Sequence, residues 1–309
     1  MMETNTSVYP DALVDIVITV YNSEQYIGQA IESVLSQSIN FKVNIHVYDD
    51  CSTDNTVNVI SDHVQKNNNV FLHSSNHNLG TFGTLQKALS NCRSAFVAIL
   101  EGDDYWYDML KLQNQIDNLI ANPNFAGCAG NSLVYNQKEG LFTGSYNPDL
   151  KSEYALEALF SVPPFQLSTL VFRRELLPTL PDSFRDTISN DKVVYTLLAK
   201  HGKIFCINKP LTVYRKHVAS ISNSANSGFI YTKHKLLYSV MKKHFGPTWH
   251  KHINEGLHDH LKGYMLDLIN TKKKLKPVFF EYFYQWIRLN KWLSIDGYKE
   301  MYRFGRKIF

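Results

Sequence analysis

At 309 residues, with 44% hydrophobic and 19% charged side chains, the sequence can fill one large core or two modest ones, which excludes an intrinsically disordered chain. Its net charge of +4 hides a segregation, because residues 229–309 hold 16 Lys and Arg against 6 Asp and Glu while the remainder holds 16 against 22. Cys51, Cys92, Cys128 and Cys206 are far apart and include no Cys-x-x-Cys pair, which argues against a disulfide framework or a zinc site. No apolar run approaches the roughly 18 residues of a spanning helix. Met1–Pro10 lacks a basic segment followed by an apolar core, so a cytoplasmic location is expected.

The elements follow in chain order. Val14–Val20 is a largely apolar, β-branched run and reads as a buried strand; Glu24–Gln37 follows with Ile27, Ala30, Ile31, Val34 and Leu35 at helical spacing. Val43–Tyr48 reads as a strand, Thr53–Lys66 as a helix, Val70–His73 as a strand, Thr84–Cys92 as a helix and Phe96–Leu100 as a fourth strand. A helix is expected from near Asp108, with Met109, Leu110, Leu112 and Ile116 on its apolar side. Pro148, Pro163, Pro164, Pro178 and Pro181 mark turns, Gln166–Phe172 reads as a strand, and Val193–Lys200 as a helix. The tail carries helical runs at Phe229–His244, Trp249–Ile269, Lys276–Leu289 and Ile295–Ile308, with basic and aromatic residues interleaved. The alternation predicts an α/β fold, a Rossmann-like, mostly parallel sheet flanked by helices. Residues 1–222 are expected to form one domain in two halves, 1–122 and 123–222, followed by a helical basic-aromatic region at 223–309.

In such sheets ligands bind beyond the carboxyl ends of the strands. Thr19, Tyr21 and Asn22 fall there after the first strand, Asp49 and Asp50 after the second, and Glu101, Asp103 and Asp104 after the fourth. Carboxylates crowded at the end of a buried strand call for a cation, and hard oxygen ligands suit Mg²⁺ or Mn²⁺ shared with a phosphate-bearing substrate. The competing reading is that these acids cap the helix from near Asp108. Asp50 can accept a uracil N–H or a ribose hydroxyl. Asn78–Gly83 lacks the spacing of either common phosphate loop and reads as an ordinary turn, and no Gly-x-Gly-x-x-Gly follows the first strand, so no dinucleotide cofactor is expected.

Taken in order, Thr19-Val20-Tyr21-Asn22-Ser23-Glu24 through Ser33–Gln37, Asp49-Asp50-Cys51-Ser52-Thr53-Asp54-Asn55-Thr56, Asn78-Leu79-Gly80 and Leu100-Glu101-Gly102-Asp103-Asp104-Tyr105-Trp106 resemble the family 2 glycosyltransferases of GT-A fold. The resemblance continues through Ser168–Glu175, Asn190-Asp191 and Tyr214-Arg215-Lys216-His217, covering roughly residues 12 to 222. It implies inverting transfer of a sugar from a nucleoside diphosphate sugar, a UDP-sugar first, to an acceptor hydroxyl of a polysaccharide or lipid-linked glycan, with Mn²⁺ or Mg²⁺. The resemblance makes residues 1–122 the nucleotide-binding half and 123–222 the acceptor half, and, carried over by residue, Thr19, Tyr21 and Asp50 hold the base and ribose. Glu101 and Asp103 stand at the ends of the Asp-x-Asp motif; Asp103, with Asp104, holds the metal, and Glu101 faces the ribose or a metal-bound water. His217 is placed to ligate the metal or touch the diphosphate, and Arg215 and Lys216 to aid the phosphates or stay solvated. Asp191 is the general base, against the competing reading of an N-terminal capping residue, with Asp186 as its nearest substitute. Tyr105 and Trp106 either stack on a sugar or belong to the core.

This sequence departs from the pattern at Glu101 for the first Asp, Asn190 for an acid, and Cys51 for a frequent Gly, which makes Cys51 a spacing residue rather than a nucleophile. Two other readings compete. A sugar-nucleotide nucleotidyltransferase needs a Gly-rich, basic loop after its first strand, which Thr19-Val20-Tyr21-Asn22 does not supply; a non-catalytic nucleotide-sugar binding module draws support from Glu101 and Asn190. For the tail, an apolar-aromatic face beside lysines suits an anionic membrane surface at the inner face of the plasma membrane, against the alternative of a helical bundle packed on the domain. No nucleic-acid motif accompanies its charge, so nucleic acid is not an expected partner.

Overall fold

The computed structural model describes residues 11–217 and 227–270, which fall into two compact units. The first comprises residues 11–159, 163–185 and 189–217; the second comprises residues 227–270 with the short segments 160–162 and 186–188.

The first unit is built on a ten-stranded sheet. Its strands are β1 (Val14–Val20), β2 (Val43–Asp49), β3 (Val70–Ser74), β4 (Phe96–Glu101), β5 (Tyr105–Trp106), β6 (Phe125–Asn136), β7 (Leu141–Ser145), β8 (Glu153–Tyr154), β9 (Val171–Arg173) and β10 (Lys203–Lys216). They lie in the order β3-β2-β1-β4-β9-β6-β10-β5, with β7 on β6 and β8 on β10. The helices are α1 (Ile27–Leu35), α2 (Thr56–Lys66), α3 (Gly80–Asn91), α4 (Lys111–Ala121), α5 (Leu156–Leu159) and α6 (Asn190–Ala199). β1 to β4 are mutually parallel, as the alternation requires; β9 enters antiparallel between β4 and β6. β1 pairs with β2 on one side and β4 on the other, with Thr19 opposite both Tyr48 and Glu101 and Val20 opposite Asp49. The loops leaving the three strands therefore emerge side by side, at the point where the strand order reverses.

Alternation along β1 sorts its two faces. Ile16, Ile18 and Val20 join Ile45 and Val47 of β2, Ala98 and Leu100 of β4, and Ile27, Ala30, Ile31 and Val34 of α1 in one buried cluster. Each such side chain contributes about 1.5–3 kcal/mol by leaving water. The other face carries a buried polar group at Asp15, which accepts hydrogen bonds from Arg93 N (2.6 Å), Ser94 N (2.9 Å), Ser94 Oγ (2.7 Å) and Asn44 Nδ2 (3.1 Å). His46 Nε2 lies 3.6 Å from Asp15 Oδ1, His46 Nδ1 lies 3.1 Å from His73 Nε2, and His73 stacks on Tyr48 at 4.4 Å.

Burial, and then the neighbouring His46 charge, pulls the His73 pKa down to about 4. The unfolded chain, with histidine near 6.5, therefore takes up this proton first as the pH falls. Stability present above pH 6.5 is expected to be lost progressively down to about pH 4, and His73→Phe to flatten that decline. Urea unfolding across this range checks it, and identical slopes for variant and wild type would refute the assignment.

Two local expectations are corrected. The helix expected from Asp108 starts at Lys111; Met109 and Leu110 precede it and are exposed, and Asp108 Oδ1 accepts Leu110 N at 3.0 Å in the turn before the helix, whose cap position is held by Leu110. Of the strand expected at Gln166–Phe172, Leu167–Thr169 forms a 3₁₀ turn and only β9 is extended. The reason is that carbonyls a ladder would use are taken by side chains, Ser168 O by Trp106 Nε1 at 3.1 Å and Thr169 O by Gln115 Nε2 at 2.8 Å.

The second unit contains α7 (Ser227–Phe245) and α8 (His250–Asn270), close to the first two helices expected in the tail. Leu237, Tyr238, Met241, Ile253 and Leu261 are buried, and Tyr238 Oη donates to Phe160 O at 2.7 Å. Among the described residues no helix is long and apolar enough to cross a membrane. The helices expected at Lys276–Leu289 and Ile295–Ile308 lie outside the described residues.

Candidate active site

The loops after β1 and β2 are tied together residue by residue. Asn22 N donates to Ser52 Oγ (2.8 Å), Thr53 N to Asn22 Oδ1 (2.8 Å), Ser23 N to Thr56 Oγ1 (2.8 Å), Glu24 N to Asp54 Oδ2 (3.2 Å) and Asn55 N to Glu24 Oε2 (2.8 Å). Each motif thus satisfies backbone amides of the other near a helix start, where such donors lack intrahelical partners. Asn22 and Cys51 adopt left-handed backbone, with φ of +46° and +66°. For Cys51 this costs about 1–2 kcal/mol, which accounts for the glycine usual at this point of the motif.

Asp50 is buried; its amide donates to Val20 O at 2.9 Å and its Oδ1 accepts Leu79 N at 2.7 Å, which pins the loop before α3. Thr19 is half-buried and Tyr21 is exposed. Asp49 Oδ1 is buried with no hydrogen-bond partner among the described residues.

The acidic loop is locked onto the first. Gly102 N donates to Thr19 O at 2.9 Å, and a Cβ at Gly102 would sit 2.9 Å from Val20 Cβ, so only glycine allows this approach. Asp104 is buried, with Oδ2 accepting Ser168 Oγ at 2.8 Å and Oδ1 accepting Arg215 N at 3.0 Å. Asp103 stays partly exposed, its Oδ2 3.0 Å from His217 Nε2. Burial, followed by the Asp104 and Asp103 charges, pushes the Glu101 pKa well above the usual carboxylate range; burial and Asp103 do the same to Asp104.

Among the described residues no group of three or more His, Cys, Asp or Glu is arranged to hold a metal ion. Of the expected ligands Asp103, Asp104 and His217, Asp103 and His217 lie side by side, while both oxygens of Asp104 accept hydrogen bonds from protein donors. A carboxylate and an imidazole side by side, next to acids that repel one another, fit a divalent cation that completes its shell with phosphate oxygens and water.

Arg215 directs its guanidinium onto neighbouring protein groups. Its Nη1 donates to Asp103 O at 2.6 Å, its Nη2 donates to Gln29 Oε1, and the guanidinium lies 4.6 Å from the Tyr105 ring and 5.2 Å from the Tyr26 ring. Lys216 is exposed. Trp106 is core, and Tyr105 packs on Arg215.

α6 begins at Asn190, three residues before the expected Val193, which puts Asp191 inside its first turn. Ser189, with φ +65°, occupies the cap position, so Asp191 is not the capping residue. Asp191 Oδ1 accepts Lys192 N at 2.8 Å, and burial raises its pKa against that bond and the Lys192 charge. Its charge raises Glu101 and, after burial, Tyr146 and Tyr195, which places all four in one electrostatic neighbourhood. Asp186, the substitute base, falls in the second unit.

Sequence reasoning missed Ser168, whose Oγ accepts Glu101 N at 3.1 Å while donating to Asp104. It also missed Lys111 and Gln115, fully buried on α4. Their signal was present, since two polar residues four apart share a helix face with Leu112, Ile116 and Leu119.

The sequence profile described as Glycosyl transferase family 2 matches residues 15–180. The UDP-Glc:alpha-D-GlcNAc-diphosphoundecaprenol beta-1,3-glucosyltransferase WfaP of Escherichia coli is 28% identical over 211 residues, 68% of this chain and 80% of WfaP. S. aureus TarS 1-349 in complex with UDP-GlcNAc superposes with a TM-score of 0.65 at 19% identity, covering 89% of this chain and 79% of that one. The mannosyltransferase PcManGT from Pyrobaculum calidifontis, in complex with GDP-Man and Mn²⁺, superposes with a TM-score of 0.55 at 16% identity, covering 99% and 89%. These likenesses identify the α/β unit as a GT-A fold. The chain spans 59% of the length of some curated relatives to which it is 28% identical.

Proposed function

The chain belongs to glycosyl transferase family 2, and from that membership we propose that it transfers a sugar from a nucleoside diphosphate donor, a UDP-sugar first, to an acceptor hydroxyl with inversion at the anomeric carbon. The observation that carries this is that Asp50 follows β2 and Glu101 and Asp103 stand at the end of β4, the two strands flanking β1, while the charge of Asp191 at the start of α6 reaches Glu101. WfaP supports a UDP-hexose and a lipid-diphosphate-linked sugar as the classes of donor and acceptor, and TarS supports a UDP-sugar.

In this reading Thr19, Tyr21 and Asp50 hold the base and ribose, and Glu101 accepts a hydrogen bond from the ribose or a bound water. Asp103 and His217 would hold Mn²⁺ or Mg²⁺, which when bound neutralises charge on the departing diphosphate. Asp104, Ser168 and Arg215 keep the acidic loop in place. The acceptor oxygen attacks the anomeric carbon in line as the bond to the diphosphate oxygen breaks, and Asp191 takes the hydroxyl proton. A carboxyl whose pKa is raised is a better proton acceptor than an ordinary one, and burial supplies that at Asp191. The basic-aromatic tail at an anionic membrane surface completes the proposal and would keep the chain near a lipid-linked acceptor.

Calorimetric titration with UDP-Glc, UDP-GlcNAc and GDP-Man, with and without Mn²⁺, tests it. One donor is expected to bind selectively and more tightly with Mn²⁺. Failure of all three to bind in either condition would overturn the reading.

A further inference from the structure

Lys111 sits where three physical effects oppose a lysine. It is fully buried at the first position of α4, where the helix dipole repels a cation, and it has no ion pair at contact distance among the described residues. Its Nζ donates to Gln115 Oε1 at 2.8 Å and lies 3.9 Å from the centre of the Trp106 ring. The titratable groups facing it are Asp108, itself paired with Lys209 at 2.6 Å, and the Cys128 thiol. Burial lowers Lys111 to about 7 and raises Cys128 to about 12, outweighing the mutual attraction of their charged forms. A side chain kept against such costs needs a use.

Both neighbours of Nζ lead to the same place. With Oε1 committed to Lys111, the Gln115 amide must aim Nε2 at Cys128 O and Thr169 O, both at 2.8 Å. The ring beneath Nζ aims Nε1 at Ser168 O, 3.1 Å away. Ser168 Oγ in turn joins Glu101 N at 3.1 Å to Asp104 Oδ2 at 2.8 Å. We propose that Lys111 is a positioning residue, which by fixing the Gln115 amide and the Trp106 ring holds the Leu167–Thr169 turn that sets the acidic loop. Its bearing on turnover rests on the function proposed above; its bearing on the loop does not.

Lys111→Met separates this role from simple packing, because stability and loop order are expected to move in opposite directions. The variant's Tm should rise by about 2–4 °C or more, as expected on replacing a buried, poorly compensated amine by an apolar side chain of similar length. Hydrogen exchange of the amides at residues 101–104 and 167–170 should quicken about tenfold despite that rise. With the donor found by titration, kcat should fall about 10- to 100-fold with KM within about threefold, the loss typical of removing an outer support of a site. Lys111→Met combined with Gln115→Leu should cost little more than the first change alone, since both cut one chain of contacts. A Tm below wild type, or unchanged exchange at these amides, would overturn the proposal. If wild type turns over no nucleotide sugar, the functional reading falls while the exchange comparison still decides the role of Lys111.

Discussion

Asp191→Asn is expected to lower sugar transfer by about 10²- to 10⁴-fold while donor affinity stays within about twofold. The amide keeps the shape of the carboxylate and an oxygen able to accept Lys192 N, so α6 should start unchanged. What it loses is the capacity to take a proton. Because burial raises the wild-type carboxyl, the acid limb of its pH–rate profile should lie above that of an ordinary aspartate, activity falling as the pH drops through that raised value. The variant's residual rate should lack that limb. Steady-state kinetics from pH 4 to 8, with donor binding measured alongside, check both halves; undiminished turnover would move the base elsewhere.

Asp103→Asn should produce the second large effect, at a different step. Removing the charged half of the Asp103–His217 pair is expected to weaken Mn²⁺ binding in the presence of UDP by about 100-fold or more, and to abolish the part of nucleotide affinity that depends on the ion. The electron paramagnetic resonance signal of free Mn²⁺ reads this without any turnover. Asp104→Asn should leave ion affinity closer to wild type and lower stability instead, because its oxygens serve Ser168 Oγ and Arg215 N inside the protein. Equal loss of Mn²⁺ binding in both variants would reinstate Asp104 as a ligand.

The contrast between these neighbouring acids shows where sequence reading stops. Asp103 and Asp104 are equivalent in a string of letters, and only the turn through Gly102, with Asp104 N donating to Glu101 O at 2.9 Å, sends one side chain inward and leaves the other partly exposed. Arg215 is a similar case. A basic residue within a motif expected near phosphates ends with its guanidinium between two tyrosines and its donors on Asp103 O and Gln29. Lys111 and Gln115 were legible as polar intrusions on an apolar helix face, but their purpose depends on Thr169 and Ser168, more than fifty residues away in the chain.

Periodicity alone determined the parallel half of the sheet, its flanking helices and the grouping of polar residues at the ends of β1, β2 and β4, because hydrophobic burial acts on residues two or about four apart, a spacing written locally. The order of the motifs was enough to indicate the family. Tertiary structure alone decided the antiparallel entry of β9, the 3₁₀ turn at Ser168, the earlier start of α6 and the pairing of Asp103 with His217. Each of these is a contest between a local preference and a hydrogen bond or charge supplied from a distant segment, and its winner is set only once the chain has closed around it.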